Sequence, residues 1–169
     1  NKRLLKERNG KGKMSVNHNI AVLVANGFNE NELVRIQKSL RSHEMITKMV
    51  SPENGVVNGW TGSSWGCFFP VDIAINEALA SDFLGLIVIG GDKAISRLQK
   101  TAHTERFINS FVRVQKPIMA IDGAVSLVPS HIDGSLFSMD SDVDEGALDA
   151  CIVKSVSYTH LRAHETASD

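Results

Sequence analysis

The sequence predicts an α/β domain with a mostly parallel sheet, helices on both faces and a β-hairpin excursion. Three observations carry this. Short apolar runs recur at residues 20–25 (IAVLVA), 84–89 (LGLIVI) and 118–121 (IMAI), the composition of strands covered on both faces. Stretches of helical period separate them, and such alternation argues a parallel sheet wound with helices, a flavodoxin-like three-layer sandwich. Residues 54–70 (NGVVNGWTGSSWGCFFP) are Gly-rich, hold both tryptophans and lack a helical period, which fits a hairpin or an ordered excursion.

Taken in order, the first apolar run reads as the central strand. Asn26-Gly27-Phe28-Asn29 is a turn. Asn29 or Glu30 then opens a helix whose Leu33, Ile36 and Leu40 fall three to four residues apart and which ends near Ser42-His43. Residues 45–50 read as the second strand, closed by Ser51-Pro52. After the hairpin segment, Asp72 is expected to cap a helix through Ile75, Ala78 and Leu79. The strand at 84–89 ends in Gly90-Gly91-Asp92, and helical spacing resumes over 94–98 and again at Phe107, Ile108, Phe111 and Val114. Residues 135–140 read as an edge strand, and 144–154, with Leu148, Cys151 and Ile152 on one face, as a closing helix.

Composition narrows the function classes. At 169 residues, with 43% hydrophobic and 22% charged side chains, the chain suits one globular domain. A formal net charge of −1 and scattered Lys and Arg offer no basic stripe, so neither nucleic acid nor a membrane surface is an expected partner. No apolar run approaches the roughly 20 residues of a membrane helix. Two cysteines, Cys67 and Cys151, and no export signal before the first strand point to a reducing cytoplasm. The ends differ from the middle. Residues 1–13 are polar and basic, an upstream translated region or a disordered arm ahead of Met14, and residues 155–169 resemble read-through of a sequencing adaptor. The domain is therefore expected to span 14–154, with 155–169 a non-native tail whose His160 and His164 support no metal reading.

Several motifs fail on spacing. Asp140, Asp142 and Asp144 begin like a calcium loop, but Gly146 falls one place late and Cys151 stands where a bidentate Glu is needed. The chain has no GxGxxG after the first strand, no GxxxxGK[ST] and no GxSxG, so the usual dinucleotide, phosphate-loop and hydrolase-elbow readings lack their parts. No metal and no cofactor is expected.

One stretch carries chemistry. In KPIMAIDGAVSLV, residues 116–128, a buried strand turns at Asp122-Gly123 into an apolar helix start, and such strand-to-helix turns are where ligands and catalytic groups gather in α/β folds. With NGFNENEL after the first strand, IVIGGD at the end of the third, and SHIDG placing His131 nine residues beyond Asp122, the segments resemble the active-site segments of the PfpI family, within the class I glutamine amidotransferase-like superfamily. The resemblance covers roughly residues 19–154. The late segment LFSMDSDVDEGALDACIV is also similar to the C-terminal domain of large-subunit catalases, a non-catalytic branch of that superfamily.

The resemblance implies a nucleophilic Cys in the turn that holds Asp122, a His at the next position, where Gly123 stands, and a Glu hydrogen-bonded to the Cys, matched by Glu32. The glycines of the family's oxyanion pocket match Gly90 and Gly91. Asp92, Gly123 and His131 complete the expected ligand-binding set. A carboxylate cannot form a thioester or a sulfenic acid, so protease, glyoxalase or redox-sensor chemistry by the family's thiol route is not expected.

Each residue has a plainer reading beside this one. Asp122 could cap the helix that follows, Glu32 could be a solvated first-turn acid, Gly90-Gly91 a simple turn, and His131 a surface loop residue. Trp60 and Trp65 read as packing or interface residues, and Cys67 as a buried or spectator thiol. Two function classes stay open. One is a non-catalytic domain for a small-molecule ligand, a partner or assembly, expected to be a homodimer with Trp60 and Trp65 at the interface; the other is an enzyme using Asp122 and Glu32 for proton transfer or hydrolysis on a small carbonyl or amide. In either, the two carboxyl groups are expected within hydrogen-bond reach, sharing a proton, with one apparent pKa of the pair raised.

Overall fold

Strand β1 (Asn19–Leu23) is the apolar run NIAVL, and it pairs in parallel on both sides, Val22 opposite Met49 on one flank and opposite Ile87 on the other. Helices cover both faces of the sheet around it, which is why the run is apolar on both. The computed structural model of the chain describes residues 18–129 and, as strand backbone, 136–139. Residues 1–13 and Met14, His131, the expected closing helix at 144–154 with Cys151, and the segment 155–169 lie outside the described residues.

The main sheet also contains β3 (Ile46–Ser51), β6 (Ile73–Ala74), β7 (Gly85–Val88), β8 (Ile118–Ile121) and β9 (Leu136–Met139). All its pairings are parallel, in the order β6-β3-β1-β7-β8-β9. Three helices connect the strands: α1 (Glu30–Ser42), α2 (Asp92–Gln99) and α3 (Thr104–Arg113). The crossover through α1 runs from β1 to β3, and the one through α2 and α3 runs the opposite way, from β7 to β8. Because such crossovers are right-handed, the two sets of helices cover opposite faces. The result is the three-layer, flavodoxin-like sandwich expected from the sequence.

The core follows from the same periodicities. Leu33, Ile36 and Leu40 form the buried face of α1, while Phe107, Ile108 and Phe111 form that of α3. Phe83, Phe107 and Phe111 pack as a cluster, with ring centroids 5.1 to 6.4 Å apart. Burying each such side chain contributes roughly 1.5–3 kcal/mol. Lys116 closes this end, its Nζ donating to the Ala80 and Phe83 carbonyl oxygens at 2.8 and 2.6 Å. Burial there lowers its pKa, against an opposing effect of Asp82.

Two expected elements differ. The helix read after Asp72 is absent: Ile73 and Ala74 form β6, in register with Val50 and Ser51, and a single 3-10 turn follows at Ala80–Asp82. Asp72 is held extended along β3, its backbone N–H donating to Met49 O at 2.9 Å and its carboxylate accepting the Met49 N–H at 2.7 Å. The edge of β3 thus recruits the segment before a short helix can nucleate, an ordinary defeat of weak local period by tertiary pairing. The helix read after Asp122 is a six-residue 3-10 helix, Asp122–Leu127.

The hairpin expectation is met by β4 (Val56–Trp60) and β5 (Trp65–Pro70), which pair antiparallel. A short strand, β2 (Phe28–Asn29), joins them in a second sheet. The hairpin is clamped to the turn after β1. Gly27 N–H donates to Asn58 O at 2.8 Å, Asn58 N–H donates to Asn26 Oδ1 at 2.8 Å, and Cys67 N–H donates to Glu30 Oε1 at 2.9 Å. No helix among the described residues is long and apolar enough to cross a membrane.

Candidate functional site

The crossovers diverge between β1 and β7, so the carboxyl ends of these strands form the crevice in which ligands of open α/β sheets bind. Glu32 enters it from the first turn of α1. Asn29 caps that helix, Oδ1 accepting the Glu32 N–H at 3.2 Å while Nδ2 donates to Glu32 Oε2 at 3.0 Å. This reciprocal capping turns the Glu32 side chain inward. It is 3% exposed, which excludes the solvated-acid reading.

Gly90 and Gly91 bring the next strand end close. A methyl group built on Gly90 would lie 2.9 Å from Ile121 O and 3.3 Å from Asp122 Cβ, and Gly91 has φ 121° with no room for a Cβ beside Gly27 O. Only glycine permits both the approach and the backbone angle. Gly90 N–H donates to Glu32 Oε1 at 3.1 Å, and Asn29 N–H donates to Gly90 O at 2.9 Å.

Asp122 follows β8 at the next strand end with φ 54°, a left-handed conformation that Asp tolerates better than most residues. It does not cap the 3-10 helix: Ile121 holds the cap position and no side-chain cap bond forms. The exposed Asp122 carboxyl instead lies near enough to the buried Glu32 carboxyl for its charge and a side-chain hydrogen bond to act on the Glu32 pKa. Two ionised carboxylates are acceptors only, so a hydrogen bond between them requires one proton. Burial first, then the Asp122 charge and that hydrogen bond, push Glu32 from 4.5 up to about 7, against the Gly90 N–H and Arg35, which lower it. The group most removed from water is thus the one that keeps the proton.

Of the other expected site residues, Gly123 is exposed beside Asp122 and Asp92 is exposed in the first turn of α2; His131 lies outside the described residues. Cys67 is exposed on the edge strand β5, which rules out the buried half of the buried-or-spectator reading. Trp60 and Trp65 pack edge to face at 5.2 Å, and Lys93 Nζ lies 4.6 Å from the centroid of the Trp60 ring. Sequence reasoning missed Asn29, Glu30 and Lys93. The Asn29-x-x-Glu32 spacing was the available signal for the first.

The site thus stands on a parallel sandwich, with a left-handed strand-to-helix turn at Asp122 beside paired glycines. The model of the DJ-1/PfpI family matches residues 18–134, and the chain belongs to that family. No curated protein matches it by sequence. Among solved structures it is similar to a ThiJ/PfpI domain protein from Brachyspira murdochii, at 16% identity over 83% of this chain and 96% of the other, TM-score 0.71. A DJ-1 superfamily protein from Agrobacterium tumefaciens gives 14% identity, 88% and 98% coverage and TM-score 0.63. The oxidized DJ-1 of Toxoplasma gondii gives 15%, 88% and 97%, and 0.61. At these identities the likeness concerns the fold.

Proposed function

We propose that this chain is a DJ-1/PfpI domain in which a carboxyl pair replaces the thiol nucleophile, and that it serves as a non-catalytic domain for a small-molecule ligand, a partner or assembly. One observation carries the reading: Glu32 takes up both the Gly90 N–H and Asp122, so the groups that the resemblance assigns to oxyanion binding and nucleophilic attack satisfy each other. The reading expects a cytoplasmic homodimer. Trp65 and Phe68, 51% and 65% exposed on β5, support a contact between copies through the hairpin beside Trp60.

A second reading has its own support. A buried acid titrating near 7 beside an exposed carboxylate is the environment of a general acid–base pair, which would act on a small carbonyl or amide substrate. Assays with methylglyoxal and fluorogenic peptides separate the two. The expected result is no turnover. Turnover abolished by alkylating Cys67 would overturn the proposal, and turnover lost on Asp122→Asn but indifferent to alkylation would establish the acid–base alternative.

A further inference from the structure

A cavity of about 420 Å³ opens at the other half of the sheet's carboxyl edge, beyond β3 and β6, under the turn joining α2 to α3. Its volume is that of a small-molecule site. Arg97, Lys100 and His103 line it, together with the polar groups of Asn54, Asn76 and Thr101, and no carboxylate does. Glu53 engages Arg97 from outside the lining, Oε2 accepting from Nε at 3.2 Å. The same Glu53 oxygen accepts the Asn26 N–H at 3.0 Å, and Ser51 Oγ accepts the Glu53 N–H at 3.1 Å. Arg97 is therefore held in place by a fixed partner. Among the described residues the Lys100 and His103 side chains have no ion-pair or hydrogen-bond partner.

The walls are fastened independently of any ligand. Arg106 Nη2 donates to Ile75 O at 2.9 Å, tying α3 to the segment after β6, and Thr101 Oγ1 donates to Arg97 O at 2.9 Å at the close of α2. Favourable interaction with the negative end of α2 would account for Arg97 and Lys100 alone. It does not account for His103, which stands at the positive end of α3, nor for a preformed cavity between the three.

We propose that this cavity binds a small phosphate monoester, the dianion held by Arg97, Lys100 and His103 and a hydroxylated body held by Asn54, Asn76 and Thr101. Guanidinium and ammonium groups together match a phosphate dianion, and the amide and hydroxyl lining suits a polar body better than a flat aromatic one. The site is separate from the carboxyl pair. α2, eight residues and roughly 12 Å long at 1.5 Å per residue, begins beside the pair and ends at the cavity.

Glucose 6-phosphate, inorganic phosphate and glucose, titrated into the full chain and followed by calorimetry and backbone amide NMR, test the proposal. Glucose 6-phosphate is expected to bind saturably, moving the amides of Asn76, Thr101 and His103, with phosphate weaker and glucose silent. Lys100→Ala and His103→Ala should each weaken it by roughly 10-fold, the scale of one charge-assisted hydrogen bond. Glu32→Gln should leave it unchanged. Absence of saturable binding, or binding indifferent to both alanine variants, would overturn the site; phosphate binding as tightly as its ester, or glucose binding as well, would overturn the assigned ligand class.

Discussion

The two ends of α2 show opposite solutions to placing charge at a strand edge. At its start, Glu32 is buried and meets a like group, so the conflict is resolved by a proton. At its end, the basic groups stay near water, and among the described residues Arg97 meets an acid of opposite charge, Glu53. The comparison teaches that burial, more than the sign or number of charges, makes a carboxyl group responsive to pH. The first end should therefore carry a pH-dependent contribution to stability.

The largest expected effect is on stability against pH. Glu32 holds its proton more tightly folded than unfolded, so from about 4.5 to 7 the folded state binds more protons and stability falls as pH rises, levelling above 7. The total from this group is at most about 3 kcal/mol. Urea denaturation at a series of pH values should show that decline in the wild type relative to Glu32→Gln. The Gln carbonyl can still accept the Gly90 N–H while its amide donates to Asp122, so stability at neutral pH should be unchanged or higher. A neutral-pH loss above about 2 kcal/mol would mean Glu32 is an ionised partner of some donor.

Gly90→Ala tests how the pair is brought together. Its methyl would press on Ile121 O at 2.9 Å, and a loss of about 2 kcal/mol in thermal or chemical unfolding is expected, since the obstacle is backbone. Asp122→Gly works in the opposite direction: it releases the left-handed strain at φ 54° and removes the like charge, and a gain of about 1 kcal/mol is expected at neutral pH. At the far end of α2, Glu53→Gln breaks a half-exposed ion pair and should change stability by less than about 1 kcal/mol. A larger loss there would erase the contrast between the two ends.

The sheet was legible because its strands are buried on both faces, and so was the hairpin, from glycines and aromatics without helical period. The segment after Asp72 was not, since a two-residue edge strand carries too little pattern to compete with an Ile75-Ala78-Leu79 spacing that resembles helix. At the site, the pairing of Glu32 with Asp122 was legible through the family resemblance, and the Asn29 cap lies only three residues away, whereas the burial of Glu32 also depends on the approach of Gly90, a contact across 58 residues of chain. The basic cavity was not legible. Arg97, Lys100 and His103 read locally as helix-end residues, and Asn54 and Asn76 join them only once β6 has paired with β3.

The shared proton is tested most directly by a carbon-13 NMR titration of the side-chain carboxyl of Glu32 in the wild-type chain. The expected midpoint is about 7, falling toward but remaining above 4.5 in Asp122→Ala, because burial is the larger cause and the Asp122 charge and hydrogen bond the lesser ones. A wild-type midpoint at 4.5, indifferent to Asp122→Ala, would show two independent acids and contradict the account.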